Sequence, residues 1–166
     1  VAEQAVVALG AGDLDGARER ASAVLARGPG DPVAGAHAQR VLGLLAAAEG
    51  DAPAARASLA ESLDLARRAD DPGLAIAAHN ALALVAAAAG DMPGALEHGA
   101  AALAEARRTG DLHLEAAVES NLADVLHAAG RDAESREHQL LAVALGAEVG
   151  GRSGELQPEI WKLSAW

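Results

Sequence analysis

Residues 72–111, PGLAIAAHNALALVAAAAGDMPGALEHGAAALAEARRTGD, decide the fold of this chain. They read as an apolar helix, a Gly90-Asp91 turn, a second helix and a second turn at Gly110-Asp111. The unit recurs. Moved forward by 40 residues, Gly90 falls on Gly130, Leu82 on Leu122 and Ala83 on Ala123. Moved back by 40, Gly90-Asp91 falls on Gly50-Asp51, Leu103 on Leu63 and Arg107-Arg108 on Arg67-Arg68. A further step back of 38 sets Gly50-Asp51 on Gly12-Asp13, Ala55 on Ala17 and Leu63 on Leu25. Self-similarity at a fixed period of this length marks stacked helical units, each burying its apolar face against the next.

Composition agrees with an all-α chain. Of 166 residues, 51% are apolar, mostly Ala, Leu and Val, with no Phe or Tyr and only Trp161 and Trp166 as aromatics. Ala is the strongest helix former, and residues that favour strands are scarce. The formal charge is −11 and Lys162 is the single lysine. An acidic chain without a basic face disfavours binding to nucleic acid. The preference for Arg over Lys, with abundant Ala and Gly, suggests a GC-rich bacterial genome. No Cys is present, so neither a disulfide framework nor a thiolate metal site is available, and a cytoplasmic location fits. No apolar run approaches a membrane span, and no signal peptide is visible. Val1 stands in mid-pattern, so the sequence reads as a piece of something longer.

The turn chemistry repeats with the period. A Gly in the left-handed conformation ends each first helix, and the following Asp caps the second. Pro32, Pro53, Pro72 and Pro93 fall in first turns, where the missing N–H costs nothing. Arg67-Arg68 and Arg107-Arg108 fall in last turns, where positive charge complements the helix dipole. The spacing predicts hairpins over about 1–27, 32–68, 72–108 and 112–146. Ala17, Ala21, Val24 and Leu25 form the apolar face of the helix beginning at Leu14. The last second helix is expected to run from Asp132 to Leu145, after which Gly146, Gly150, Gly151 and Gly154 loosen the chain. Residues 149–166 are therefore read as a Gly-rich linker and a short capping helix. Leu156, Ile160, Trp161, Leu163 and Trp166 would either fold back over the last hairpin or dock into a neighbouring chain or domain.

The unit resembles the tetratricopeptide repeat. The residues that carry the likeness are Leu42-Gly43, Leu82-Ala83 and Leu122-Ala123 in the first helices, with Ala55, Ala95 and Ala102-Leu103 in the second. The repeat departs from the family's usual form, which spans roughly 34 residues with a Trp, a Tyr, a Phe and a closing Pro. It is longer, has Ala46, Ala86 and Leu126 in place of Tyr, and has Leu59, Gly99 and Gln139 in place of Phe. The longer form, with junctions like ALAEARRTGD, is similar to repeats in actinobacterial signalling ATPases and LuxR-type transcriptional regulators. The resemblance implies a right-handed α-solenoid over residues 1–148 with a C-terminal capping segment. It also implies a non-catalytic protein-binding groove formed by the first helices.

Carried over position by position, the resemblance places His37, Arg40, Leu44 and Ala47 on that concave wall. Ala77, Asn80, Leu84 and Ala87 follow from the next repeat, and His113, Ala117, Ser120, Asp124 and His127 from the last, with Val6 and Leu9 extending the wall. The expected partner is an amphipathic helix or an apolar peptide segment, because Arg40 alone does not reproduce the family's Lys/Asn clamp for a terminal carboxylate. An alternative is an effector-sensing domain that biases an attached nucleotide switch. Self-association through the ends of a solenoid is a third. Neither membrane nor nucleic acid is expected as a partner of this segment.

The six histidines do not read as a metal or catalytic centre, and neither a metal nor a cofactor is expected. His113 and His127 lie about 20 Å apart along one helix, too far to converge on an ion. Glu97-His98 and Glu137-His138 are the same repeat position twice and read as solvent-facing. Asp124 and His127 share a helix face, but no nucleophile or phosphate-binding loop accompanies them, so the chain is not expected to be an enzyme.

Overall fold

Asp13, Asp31, Asp51, Asp71, Asp91 and Asp111 start six of the helices in a computed structural model, which describes residues 2–28 and 30–153. Each carboxylate accepts a hydrogen bond from a backbone N–H of the first turn. The donors are Gly16, Val33, Ala54, Leu74 and Gly94 at 3.0 Å, and His113 at 2.9 Å. Such caps contribute about 1 kcal/mol each, and they fix where every turn ends. Among the described residues the chain forms eight α-helices and no strand: α1 (Ala2–Gly10), α2 (Leu14–Leu25), α3 (Pro32–Ala48), α4 (Ala52–Arg68), α5 (Pro72–Ala88), α6 (Met92–Thr109), α7 (Leu112–Ala128) and α8 (Asp132–Ser153).

The helices pack as consecutive pairs, α1 with α2, α3 with α4, α5 with α6 and α7 with α8. The second helix of each pair then packs on the first helix of the next. Odd-numbered helices also touch in succession, α1 with α3, α3 with α5 and α5 with α7, whereas no comparable contact joins the even-numbered helices among the described residues. The odd helices are therefore the close-set inner layer and the even helices the outer one. Two turns take the left-handed conformation at the same register, with Gly110 at φ 69° and Asp70 at φ 52°. Asp tolerates this region better than most side chains, which lets α4 end without a glycine.

The core lies in the seams between pairs. Ala5, Ala17 and Ala21 of the first pair cluster with Ala38, Val41 and Leu45 of α3. Leu59, Leu63 and Ala66 of α4 cluster with Leu74, Ala78 and Leu82 of α5. Ala102, Leu103 and Ala106 of α6 cluster with Val118, Leu122 and Leu126 of α7. Buried serines add hydrogen bonds within pairs: Ser62 Oγ donates to the Ala36 carbonyl and Ser135 Oγ to that of Ala123, both at 2.8 Å.

The expected end of α8 at Leu145 is corrected, because the helix continues through Gly146 and Gly150 to Ser153. The glycine stops at residues 12, 50, 90 and 110 each precede an aspartate cap, while Gly146 precedes Ala147 and Glu148, both good helix formers. A glycine alone lowers helix stability without supplying the cap of a following helix. The expected capping segment with Leu156, Ile160, Trp161, Leu163 and Trp166 lies outside the described residues.

Gly43 in α3 has a packing role. A Cβ built there would sit 2.6 Å from Leu59 Cγ and 3.1 Å from the Ala55 carbonyl oxygen. The Gly43→Ala variant is expected to unfold more easily than wild type by roughly 1–3 kcal/mol, even though Ala favours the helix. Urea unfolding measures this, and a stabilised variant would show that α3 and α4 can move apart freely.

Candidate binding face on the inner helices

The positions singled out on the first helices fall on the inner layer, one row per helix and in register across the stack. On α3, Arg40 is buried at 5% exposure, while His37, Leu44 and Ala47 are half-buried. On α5, Asn80 is likewise 5% exposed, with Ala77, Leu84 and Ala87 half-buried. On α7, Ala117 is buried, Ser120 is half-buried, and Asp124 and His127 are exposed, as is His113. The gradient follows from the packing: among the described residues, α3 and α5 have an odd-numbered neighbour on each side, but α7 has one on a single side. On α1, Val6 and Leu9 are half-buried against the first core cluster.

Arg40 and Asn80 are thus one repeat apart, both desolvated and both in the seam of the inner layer. Burial lowers the Arg40 guanidinium from its ordinary value. His37 is held below the usual histidine value, first by burial and then by the Arg40 cation, against weaker opposing carboxylates at Asp71, Glu3 and Asp31. Its Nδ1 is buried with no hydrogen-bond partner. Buried polar atoms are almost always paired, so this ring nitrogen stands out in the row. At the far end, His127 does not pair with Asp124; its Nδ1 lies 2.7 Å from Asp132 Oδ1 at the start of α8.

A second set of polar residues escaped the sequence reading. His98 and His138 are not solvent-facing, as their shared repeat position suggested, but half-buried and turned onto the preceding inner helix. His98 Nδ1 lies 3.2 Å from His79 Nδ1, and His138 Nδ1 bonds to Glu119 Oε2. Glu119 is fully buried, and its other oxygen accepts from Arg107 Nη2 at 2.7 Å, while Arg107 Nε reaches Glu115 at 3.1 Å. A buried carboxylate requires such pairing, since an isolated charge in the interior is too costly. The signal in the sequence is the 19-residue step from residue 79 to 98, repeated from 119 to 138. At the equivalent place in α3 and α4 the chain has Gln39 and Ser58. Among the described residues, no group of three or more His, Asp or Glu side chains gathers to hold a metal ion, and no helix is long and apolar enough to cross a membrane.

No protein-family model matches the chain, and no curated protein matches it. Among solved structures, the chain is similar to the crystal structure of BtubC (BKLC) from P. vanneervenii, with a TM-score of 0.73 and 20% sequence identity. The likeness covers 84% of this chain and 59% of that one, so this chain spans little more than half the length of its structural neighbour. At this identity the comparison shows a shared all-helical fold and nothing of function.

Two predictions rest on these environments. His79, like His37, is held below the ordinary histidine value, by burial first and then by His98 and Arg67. The folded chain therefore binds fewer protons than the unfolded one at these two sites. Their contribution to stability is complete above about pH 6.5 and is lost as pH falls from there through the lower folded-state values. Urea unfolding at steps between neutral pH and pH near 5 should show a falling midpoint, and a His37→Asn/His79→Gln variant should show a shallower fall. An identical slope in both would locate the proton uptake elsewhere. Separately, Asn121 is 6% exposed and its Nδ2 is buried without a partner, at the register where Val41 and Ala81 pack. Removing that unpaired donor with Asn121→Ala is expected to be neutral or to stabilise by about 1 kcal/mol, as read by thermal unfolding. A loss of several kcal/mol would mean that the amide is satisfied in solution.

Proposed function

We propose that this chain is a non-catalytic protein-interaction module, a right-handed superhelix of tetratricopeptide-like pairs within a larger cytoplasmic bacterial regulatory protein. Its inner helices take an amphipathic helix or an apolar peptide segment of a protein partner. The observation that carries this reading is the row on α3 and α5, where half-buried Leu44 and Leu84 flank buried Arg40 and Asn80 beside an unpaired His37 Nδ1. Apolar side chains with a few fixed polar points are the make-up of a peptide groove. Leu44 and Leu84 supply area to bury, and the polar points reward one register of the bound segment. The packed helices hold these groups in place before binding, which limits the ordering cost of association. Asp124 and His127 give the row an open, polar end that suits the solvated tail of such a segment. The net charge of −11 favours a partner with basic residues around its apolar anchors.

The test compares wild type with Leu84→Asp and with Asn80→Ala as baits in a lysate of a GC-rich bacterium, read by mass spectrometry. A protein retained by wild type and lost from Leu84→Asp, with helicity and melting temperature nearly unchanged, supports the groove. Purified, that partner should bind Leu84→Asp weaker by roughly tenfold or more, the scale of a central interface anchor. Identical retained sets would remove the peptide-groove reading and leave an effector site or a purely structural row. A collapsed fold in Leu84→Asp would mean that Leu84 belongs to the core.

A further inference from the structure

His79 and His98 face each other across the α5–α6 pair, both half-buried, with their Nδ1 atoms 3.2 Å apart and their ring centroids 5.4 Å apart. A bond between these atoms needs one N–H and one lone pair, so the two facing nitrogens share a single proton. Whichever ring donates still has a lone pair on Nε2. A first added proton settles there, and the bond survives as a charge-assisted one. A second added proton has only the accepting Nδ1 to go to. It sets two N–H groups and two cations against each other in a half-buried seam. Of the helices packed on α5, α4 contributes the Arg67 cation, and α6 contributes His98 and Glu105, the latter held by Arg108 at 2.6 Å. On α3, Arg40 acts on His37, and on α7, Glu115 and Glu119 are engaged by Arg107. The joint one repeat later responds differently. His138 Nδ1 bonds to the Glu119 carboxylate, and an ionised carboxylate accepts that bond whether the ring is neutral or protonated.

We propose that the His79–His98 joint is an acid-released latch, which holds α5 on α6 while the facing nitrogens share one proton and loosens that pair when each carries its own. Release is local. The joint of α7 with α8 is not broken by protonation of its ring, and α3 and α4 have Gln39 and Ser58 at that place, which do not titrate. The apolar clusters on either side, Leu63 with Leu82 and Leu103 with Leu122, hold no titrating group, so α5 stays packed on α4 and α6 on α7. Burial first, and then His98 and Arg67, hold His79 below the usual histidine value. The latch is therefore closed above about pH 6.5 and opens as pH falls from there. Protonation of paired histidines over this range is a general means of switching a packed interface. Because α5 also carries Asn80 and Leu84, release loosens the middle of the candidate row, but the latch stands whether or not that row binds a partner.

Two measurements on the whole chain test it. In an NMR titration of the imidazole signals, His79 and His98 should titrate as a coupled pair, in two steps about one unit or more apart. In hydrogen exchange read by mass spectrometry, with rates corrected for the intrinsic effect of pH, protection should fall between about pH 7 and about pH 5. The fall in α5 and α6 should exceed that in α7 and α8 by roughly tenfold, the effect of one pKa unit. His98→Gln keeps a donor and an acceptor opposite His79 but removes the second ring that takes a proton. It should abolish the excess loss in α5 and α6 and raise the pH at which His79 titrates. Independent titration of the two wild-type rings at a single value would overturn the latch, and that result needs no variant to fold. So would an even loss of protection across the helix pairs, or an unchanged excess in His98→Gln.

Discussion

No helix pair in this chain can bury its own apolar face, and every other feature of the structure follows from that constraint. The pairs are built largely from Ala, whose methyl offers little area, so burial depends on close approach of the helices rather than on large side chains. Close approach in turn demands that bulk be traded across each pair. Leu59 is fully buried where α3 presents Gly43. One repeat later α5 presents Ala83, and the outer helix has Gly99 in place of Leu59. The space at Gly99 is filled from the next pair, by Leu122 Cδ1, which a Cβ on Gly99 would approach to 2.8 Å. The same repeat position is therefore filled once from within the pair and once from its neighbour. Substituting either member alone disturbs two helices.

This trade explains how much of the fold was legible in the sequence. The helix boundaries were readable because Gly-Asp turns and first-turn prolines act locally, through backbone conformation and capping. The large core was readable where helical periodicity sets it, as with Ala17, Ala21 and Leu82. The extent of α8 was not, because Gly146 looks like the other stops until the missing Asp after it is counted. His98 and His138 were misplaced for a different reason. A histidine beside a glutamate in an alternating polar stretch reads as surface, and only the neighbouring inner helix, with His79 or Glu119 opposite, turns it inward. Pairing across a turn of unknown crossing angle is not contained in the periodicity of either helix.

The shared register of the candidate row was legible, but degree of burial was not. Arg40, Asn80 and Ser120 share a register, yet the first two are desolvated and the third is half-buried. The difference is not in the residues but in their neighbours, since among the described residues α3 and α5 are flanked on both sides and α7 on one. A repeat protein thus gives equivalent positions unequal environments according to their distance from an end. Polar groups in the middle of the row are costly to leave unsatisfied, whereas those at the α7 end are solvated. In the proposed reading, register is set by the buried polar groups Asn80 and His37 rather than by the solvated α7 end.

The two polar joints between inner and outer helices show how such a stack can differentiate its units without changing its geometry. His79 with His98 and Glu119 with His138 occupy one register, a pair of half-buried rings in the first and a buried carboxylate with a ring in the second, where α3 and α4 have Gln39 and Ser58. Only the second recruits Arg107 from the preceding outer helix, so it ties two pairs together where the other acts within one. This joint sits in the last described pair, α7 with α8. That interaction adds directional bonds to the seam between α6 and α7, where Leu103 and Ala106 already pack on Val118 and Leu122.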